Sequence, residues 1–141
     1  MVTVEVWAEL FPTEDMEKVK KAIGNVLTID LEILDDNIRG EGKLDSLLKL
    51  HKMLRKEKIL DSARIPMSAN LEDNKTSFTF RLNKQAAYAG KASFPADAGV
   101  LGTIHVRVID DSKAKLEEVI DWLAPPTEEG NPLFENPMPQ N

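Results

Sequence analysis

Residues 76–91 read TSFTFRLNKQAAYAGK, and their pattern sets the frame for the rest of the chain. Phe78, Phe80 and Leu82 alternate with Ser77, Thr79 and Arg81, the period of a strand with one buried face. Asn83 then offers a side-chain cap, Gln85 to Tyr88 supply one or two helical turns, and Gly90 ends them. A strand running straight into a short capped helix gathers Lys84, Gln85, Tyr88 and Lys91. Those residue types hold a phosphate or a base.

Moving outward, Val2, Val4, Val6, Ala8 and Leu10 alternate with Thr3, Glu5, Trp7 and Glu9, giving a half-buried first strand. Thr13 is the expected cap of a helix whose Met16, Val19, Ala22, Ile23, Val26 and Leu27 share one face. Ile29, Leu31 and Ile33 predict a second strand, and Asp35 to Gly42 a flexible turn. Residues 43–63 predict the longest helix, with Leu44, Leu47, Leu48, His51 and Leu54 inward. Ile65, Met67, Ala69 and Leu71 alternate, so an edge strand interrupted by Pro66 is expected there, with a turn at Glu72–Lys75. Ala92 to Phe94 extends briefly, and Pro95 to Gly99 is a loop. Thr103 to Ile109 is a strand, and Ser112 caps a last helix with Leu116, Val119, Ile120 and Leu123 inward.

The order β-α-β-α-β-β-(short α)-β-α predicts an α+β fold in two layers, a mainly antiparallel sheet with helices on one face. Thr79, Arg81, His105 and Arg107 then fall on the face left open. Residues 1–124 form one domain. Residues 125–141 hold five of the eight prolines, so an extended or disordered tail is expected, with Leu133-Phe134 able to dock.

Zero cysteines remove disulfides, thiolate zinc sites and cysteine nucleophiles together. His51 and His105 are the two imidazoles; His51 belongs to a helix stripe and His105 has no local partner, so no hydrolase triad is indicated. Asp35, Asp36, Asn37 and Glu41 lack calcium-loop spacing, and Arg39-Gly40-Glu41-Gly42-Lys43 lacks phosphate-loop spacing. No enzyme, metal or cofactor is expected. With no apolar run of membrane length, the chain is expected in the cytoplasm.

The net charge of −6 hides a pattern. Residues 1–42 carry 4 basic and 10 acidic side chains, residues 43–91 carry 11 and 5, and residues 92–141 carry 3 and 9. The central third is thus a basic block in an acidic protein. Lys49, Lys52 and Lys56 share a helix face, Arg55 and Arg64 follow closely, and Lys84 and Lys91 come from the later segment. Cations tracking a backbone beside a Tyr and an amide are what single-strand RNA binders use. A solvated helix face with ion pairs, such as Arg64 with Asp61, is the plainer alternative.

Four segments carry a resemblance. They are Phe11-Pro12-Thr13-Glu14-Asp15-Met16-Glu17-Lys18-Val19, Leu54-Arg55 through Ile59-Leu60-Asp61-Ser62-Ala63-Arg64, Asn83 to Gly90, and Leu101-Gly102-Thr103-Ile104. In this order they resemble the uncharacterised archaeal protein family 0201, also called domain of unknown function 54. The resemblance covers residues 2 to about 124. Lys56, Glu57 and Ala89 depart from the family pattern. It implies a fold similar to that of the ribosomal protein that binds 5S RNA, and a label of RNA binding.

The expected function is therefore non-catalytic binding of RNA or a ribonucleoprotein. Arg55, Arg64, Lys84, Gln85 and Lys91 would hold phosphate, helped by Lys49, Lys52 and Lys56, with Tyr88 stacking on a base. The alternatives are a protein–protein module using the open sheet face or the tail, and a binder of a phosphate-containing small ligand around Asn83 to Gly90. Lys84 can instead be structural, its amine paired with an acid. A homodimer through the edge strand near Pro66 is allowed, though the proline opposes it.

Overall fold

A computed structural model describes residues 1–95 and 102–140. The first strand, β1 (Thr3–Glu9), lies at the centre because Val4, Val6 and Ala8 on one face are fully buried. It pairs antiparallel with β3 (Asn37–Gly42) and with β5 (Thr103–Ile109). The outer strands are β2 (Leu31–Ile33) beside β3 and β4 (Ser77–Asn83) beside β5, so the sheet order is β2-β3-β1-β5-β4. Ile38, Phe78, Phe80, Leu82, Ile104, Val106 and Val108 face the same side as Val4 and Val6 and join one core.

That core is closed by α1 (Met16–Val26), α2 (Leu48–Lys56), α3 (Leu60–Asp73) and α5 (Lys113–Leu123). The short α4 (Lys84–Tyr88) follows β4 and packs on α1. The α+β class and its two layers are those expected. Asn83 and Ser112 cap their helices as predicted, their side chains accepting from the N–H of Ala86 at 2.9 Å and of Lys115 at 3.2 Å. The first helix is capped by Asp15, two residues past the expected Thr13, through a 3.0 Å bond from the Glu17 N–H.

Three expectations along the chain are corrected. Residues 65–71 are the body of α3, not an edge strand. Leu60, Ala63, Met67 and Leu71 are its buried residues, a helical spacing, while Ile65 is 70% exposed. Pro66 removes one ladder bond, at a cost of about 3 kcal/mol, and the buried stripe outweighs it. Secondly, residues 37–42 are β3 rather than a flexible turn. Ile38 is the one large apolar residue in that run; the other core-facing positions are Gly40 and Gly42. A Cβ on Gly40 would stand 2.6 Å from the Asp30 carbonyl oxygen and 3.2 Å from Val6 Cγ1, so the absent side chain is what lets β2 cross there.

Thirdly, the long helix expected over 43–63 is broken. A 3-10 turn at Leu44–Leu47 leads into α2, and α3 begins after a bend at Glu57–Ile59. Lys58 adopts φ 58°, and the Ile59 N–H reaches the Leu54 carbonyl at 3.0 Å, a wrapped helix end.

Beyond α5 the chain forms a small hairpin, β6 (Thr127–Glu128) and β7 (Asn131–Pro132). Leu133 and Phe134 remain 57% and 38% exposed, while Pro139 is buried. The expected loop at Pro95–Gly99 lies outside the described residues except for Pro95. Ala92 to Phe94 carries no regular structure. Among the described residues no helix is long and apolar enough to cross a membrane.

Candidate nucleic-acid interface

Strand alternation that buries Val4, Val6, Ile104 and Val106 sends Glu5, Trp7, His105 and Arg107 to the opposite face. Register places them in rows. Arg39 stands across from Trp7, Trp7 from His105, and His105 from Arg81. In the next row Glu41 faces Glu5, Glu5 faces Arg107, and Arg107 faces Thr79. The Trp7 and His105 rings stack with centroids 4.9 Å apart and planes 7° from parallel. The two rings thus lie face to face across the strands in the middle of the sheet.

The guanidinium groups around that surface are uncommitted. Among the described residues Arg39, Arg81 and Arg107 have no ion-pair partner. Acids gather toward the other end of the face, where Glu5, Glu41 and Glu32 border a concavity of about 450 Å³ with Trp7 and Arg39. Arg81 and Arg107 therefore mark the basic half, on β4 and β5. Thr79, Arg81, His105 and Arg107 fall on this face as the alternation predicts. Trp7 and Arg39 were not singled out from sequence. Trp7 carried a signal, standing between Glu5 and Glu9 on the outward side of the first strand. Arg39 carried none once its segment was read as a turn.

The residues predicted from the basic block lie on the helical layer or its ends. Arg55 is committed to internal partners. Its guanidinium donates to the carbonyls of His51 at 2.9 Å, Leu123 at 3.0 Å and Trp122 at 3.0 Å, and pairs with Glu135 at 2.6 Å. It therefore satisfies the carbonyl end of α5 and ties down the tail. Arg64 pairs with Asp121 at 2.9 Å and donates to the Ala124 carbonyl at 3.0 Å, not to Asp61, which accepts from the Thr127 hydroxyl. Lys84 is 5% exposed; its amine reaches Glu14 at 2.9 Å and the Glu9 carbonyl at 2.6 Å. This is the structural alternative weighed for it.

Lys49 donates to the Gly24 carbonyl at 2.7 Å. Lys52, Lys56, Gln85, Tyr88 and Lys91 are exposed, and the Lys21 amine lies 5.4 Å from the Tyr88 ring centre. Beside α4, a groove of about 200 Å³ between Val19, Ala22, Lys18, Gln85 and Tyr88 is mostly apolar in its walls. The Lys84 amine there is held by Glu14, while Lys18 lines the groove with no ion-pair partner among the described residues.

Both histidines are held below the ordinary 6.5. Burial is the main cause for each, with Arg55 adding to it at His51 and Arg81 at His105. His51 stacks on Trp122 with centroids 4.7 Å apart. At neutral pH both rings are thus uncharged, so the Trp7–His105 stack carries no charge of its own. Below pH 6.5 the unfolded chain takes up protons that the folded chain resists, so stability should fall as pH drops through the folded values. Glu135, lowered from 4.5 chiefly by its hydrogen bond from Arg55, adds a second decline starting near 4.5. Urea midpoints measured from pH 8 down to pH 2 should trace both steps. A midpoint unchanged between pH 7 and pH 5 would show the two rings to be ordinary.

Comparison with known proteins is consistent with this fold. A family model described as RNA binding matches residues 3–109. The UPF0201 protein of Methanosarcina acetivorans is 40% identical, covering 98% of this chain and 93% of the relative. That of Metallosphaera sedula is 38% identical over the whole of both chains. Among solved structures, the UPF0201 protein from Methanococcus jannaschii superposes with a TM-score of 0.79 at 33% identity, covering 94% of this chain and 99% of that one. A second structure, of an uncharacterized UPF0201 protein, gives 0.78 at 30% identity and covers 93% and 99%.

Proposed function

The chain belongs to the UPF0201 family, and from that premise we propose that it binds RNA without catalysis through the open face of its sheet. One observation carries the reading. Three of the five arginines stand on one sheet face with no ion-pair partner among the described residues, around a stacked indole and imidazole. Guanidinium groups take backbone phosphates, and an unstacked base can extend a ring stack on an outer face, worth about 1–3 kcal/mol per base. The RNA-binding description of the family model, which spans all five strands of the sheet, supports the same class of partner.

The acids at the β2–β3 end repel a phosphate chain and confine it to the β1-β5-β4 half, with Arg39 at its border across from Trp7 as the last cation it reaches. A single strand running past Arg81 and Arg107, with one base on Trp7, fits that half. A second surface is favoured by Lys52, Lys56 and Lys91, exposed and without an ion-pair partner among the described residues, with Gln85 and Tyr88 also on the helical layer. The two differ in what removes binding.

The test is a titration of the protein with labelled unstructured RNA at low and moderate salt. It is repeated with Trp7→Ala and with the triple change of Lys52, Lys56 and Lys91 to Ala. Salt-sensitive binding is expected, weakened about 5-fold or more by Trp7→Ala and little by the lysine variant. The reverse ranking would move the site to the helical layer. No binding at low salt would remove RNA as the partner.

A further inference from the structure

We infer that the groove between α3 and β4 is a pocket for one unpaired guanine base, entered from the open sheet face. This rests on the RNA reading of that face and adds what the face would select. The groove encloses about 330 Å³, near the lower end of small-ligand pockets at about 300 Å³. Asn70 and Asp73 line it from α3, Thr79 and Arg81 from β4, Phe94 from the following segment, and His105 from β5. Arg81 and His105 belong to the groove and to the sheet face together, so a strand lying on the sheet can turn one base into it.

Of the polar groups in the groove, the Asn70 amide is held in orientation, and its Nδ2 and the Asp73 carboxylate are unspent among the described residues. Asn70 Oδ1 accepts the Thr79 N–H at 2.7 Å, which seals the outer edge of β4 at that residue. The bond also fixes the amide, so Nδ2 is left as a donor with no protein partner among the described residues. Asp73 lies three residues on, on the same side of α3, and its exposed carboxylate has no ion-pair partner among the described residues. It is also the last residue of α3, where the helix dipole disfavours a negative charge. Helix stability therefore gives no reason for an acid there.

A carboxylate beside an amide donor matches one base edge. Guanine presents N1–H and an N2 amine side by side, both able to donate to the two oxygens of Asp73, and its O6 accepts from Asn70 Nδ2. Adenine, cytosine and uracil each offer a single donor group on that edge. The Phe94 ring and the Pro66 and Pro95 side chains supply apolar walls for the base plane. Arg81 at the mouth holds the adjoining phosphate.

The experiment compares a short oligouridine with the same oligomer carrying one central guanosine, and with inosine in its place, which lacks the N2 amine. Each is titrated into the wild-type protein and into Asp73→Asn, whose urea midpoint is measured alongside. The wild type is expected to bind the guanosine oligomer about 10-fold more tightly than oligouridine, with inosine between them. Asp73→Asn should lose that preference while binding oligouridine as the wild type does. Equal affinity of the wild type for guanosine and uridine oligomers, or a preference that survives Asp73→Asn, overturns the pocket and leaves the RNA reading standing. Failure of every oligomer to bind at low salt overturns both.

Discussion

Replacing Lys84 with Met is expected to lower the unfolding free energy by about 2–4 kcal/mol, among the largest effects of any single polar position in the chain. The Lys84 amine has three close acceptors, the Glu9 carbonyl at 2.6 Å and the two Glu14 oxygens at 2.9 and 3.2 Å, and it lies 5.1 Å from the centre of the Phe11 ring. Its loss removes the amine donor from the Glu9 carbonyl and leaves the Glu14 carboxylate with the Phe11 N–H at 3.1 Å. The Glu14 side chain is 25% exposed and can partly rehydrate, which keeps the figure below that of a fully enclosed pair. Urea unfolding of Lys84→Met, Glu14→Gln and the double variant measures the coupling directly. A loss under about 0.5 kcal/mol would mean that the contact is ornamental. RNA affinity of the folded variant should stay at the wild-type level. A fall in affinity at unchanged stability would return Lys84 to the phosphate-holding role that the sequence suggested.

Changing Arg39, Arg81 and Arg107 together to Ala should do the opposite, leaving stability nearly intact and removing RNA binding. Among the described residues none of the three has an ion pair to lose, and substitutions at surface positions of this kind usually stay within about 0.5 kcal/mol each. Each phosphate contact on a single strand contributes about −0.7 to the slope of log affinity against log salt. Three lost contacts should flatten that slope by about 2 and lower low-salt affinity about 100-fold or more. Filter binding across a salt series reads both numbers. An unchanged slope would show that the phosphates lie elsewhere, and Lys52, Lys56 and Lys91 would be the next residues to change.

Strands with strict alternation were legible because burial on one side imposes a period of two. Val4 to Ala8, Phe78 to Leu82 and Ile104 to Val108 all lie as that period requires. The same period misled at residues 65–71, because Met67 and Leu71 are buried in either register and only Leu60 and Ala63 reveal the helix. At β3 the signal was absent, since the close approach of Asp30 and Val6 demands glycine where a strand would normally show an apolar side chain. For the candidate site, a count of cations along the chain located the basic block but not its commitments. Whether an arginine meets a carboxylate depends on residues far along the sequence, as Arg55 with Glu135 and Arg64 with Asp121 illustrate.

The two ends of the sheet bear on how the protein behaves when crowded with copies of itself. At β4 the Asn70 amide occupies a backbone donor that another strand would otherwise seek. At the other end β2 is three residues long and sits among Asp30, Glu32, Asp35 and Asp36. A second molecule bringing the same edge alongside would set carboxylate against carboxylate before any ladder bond formed. Strand-to-strand association into fibrils is thus opposed at both rims by different means, one a plugged donor and the other a charge barrier that salt weakens. Neutralising the acids around β2 is the change that would make concentrated solutions of this protein turbid.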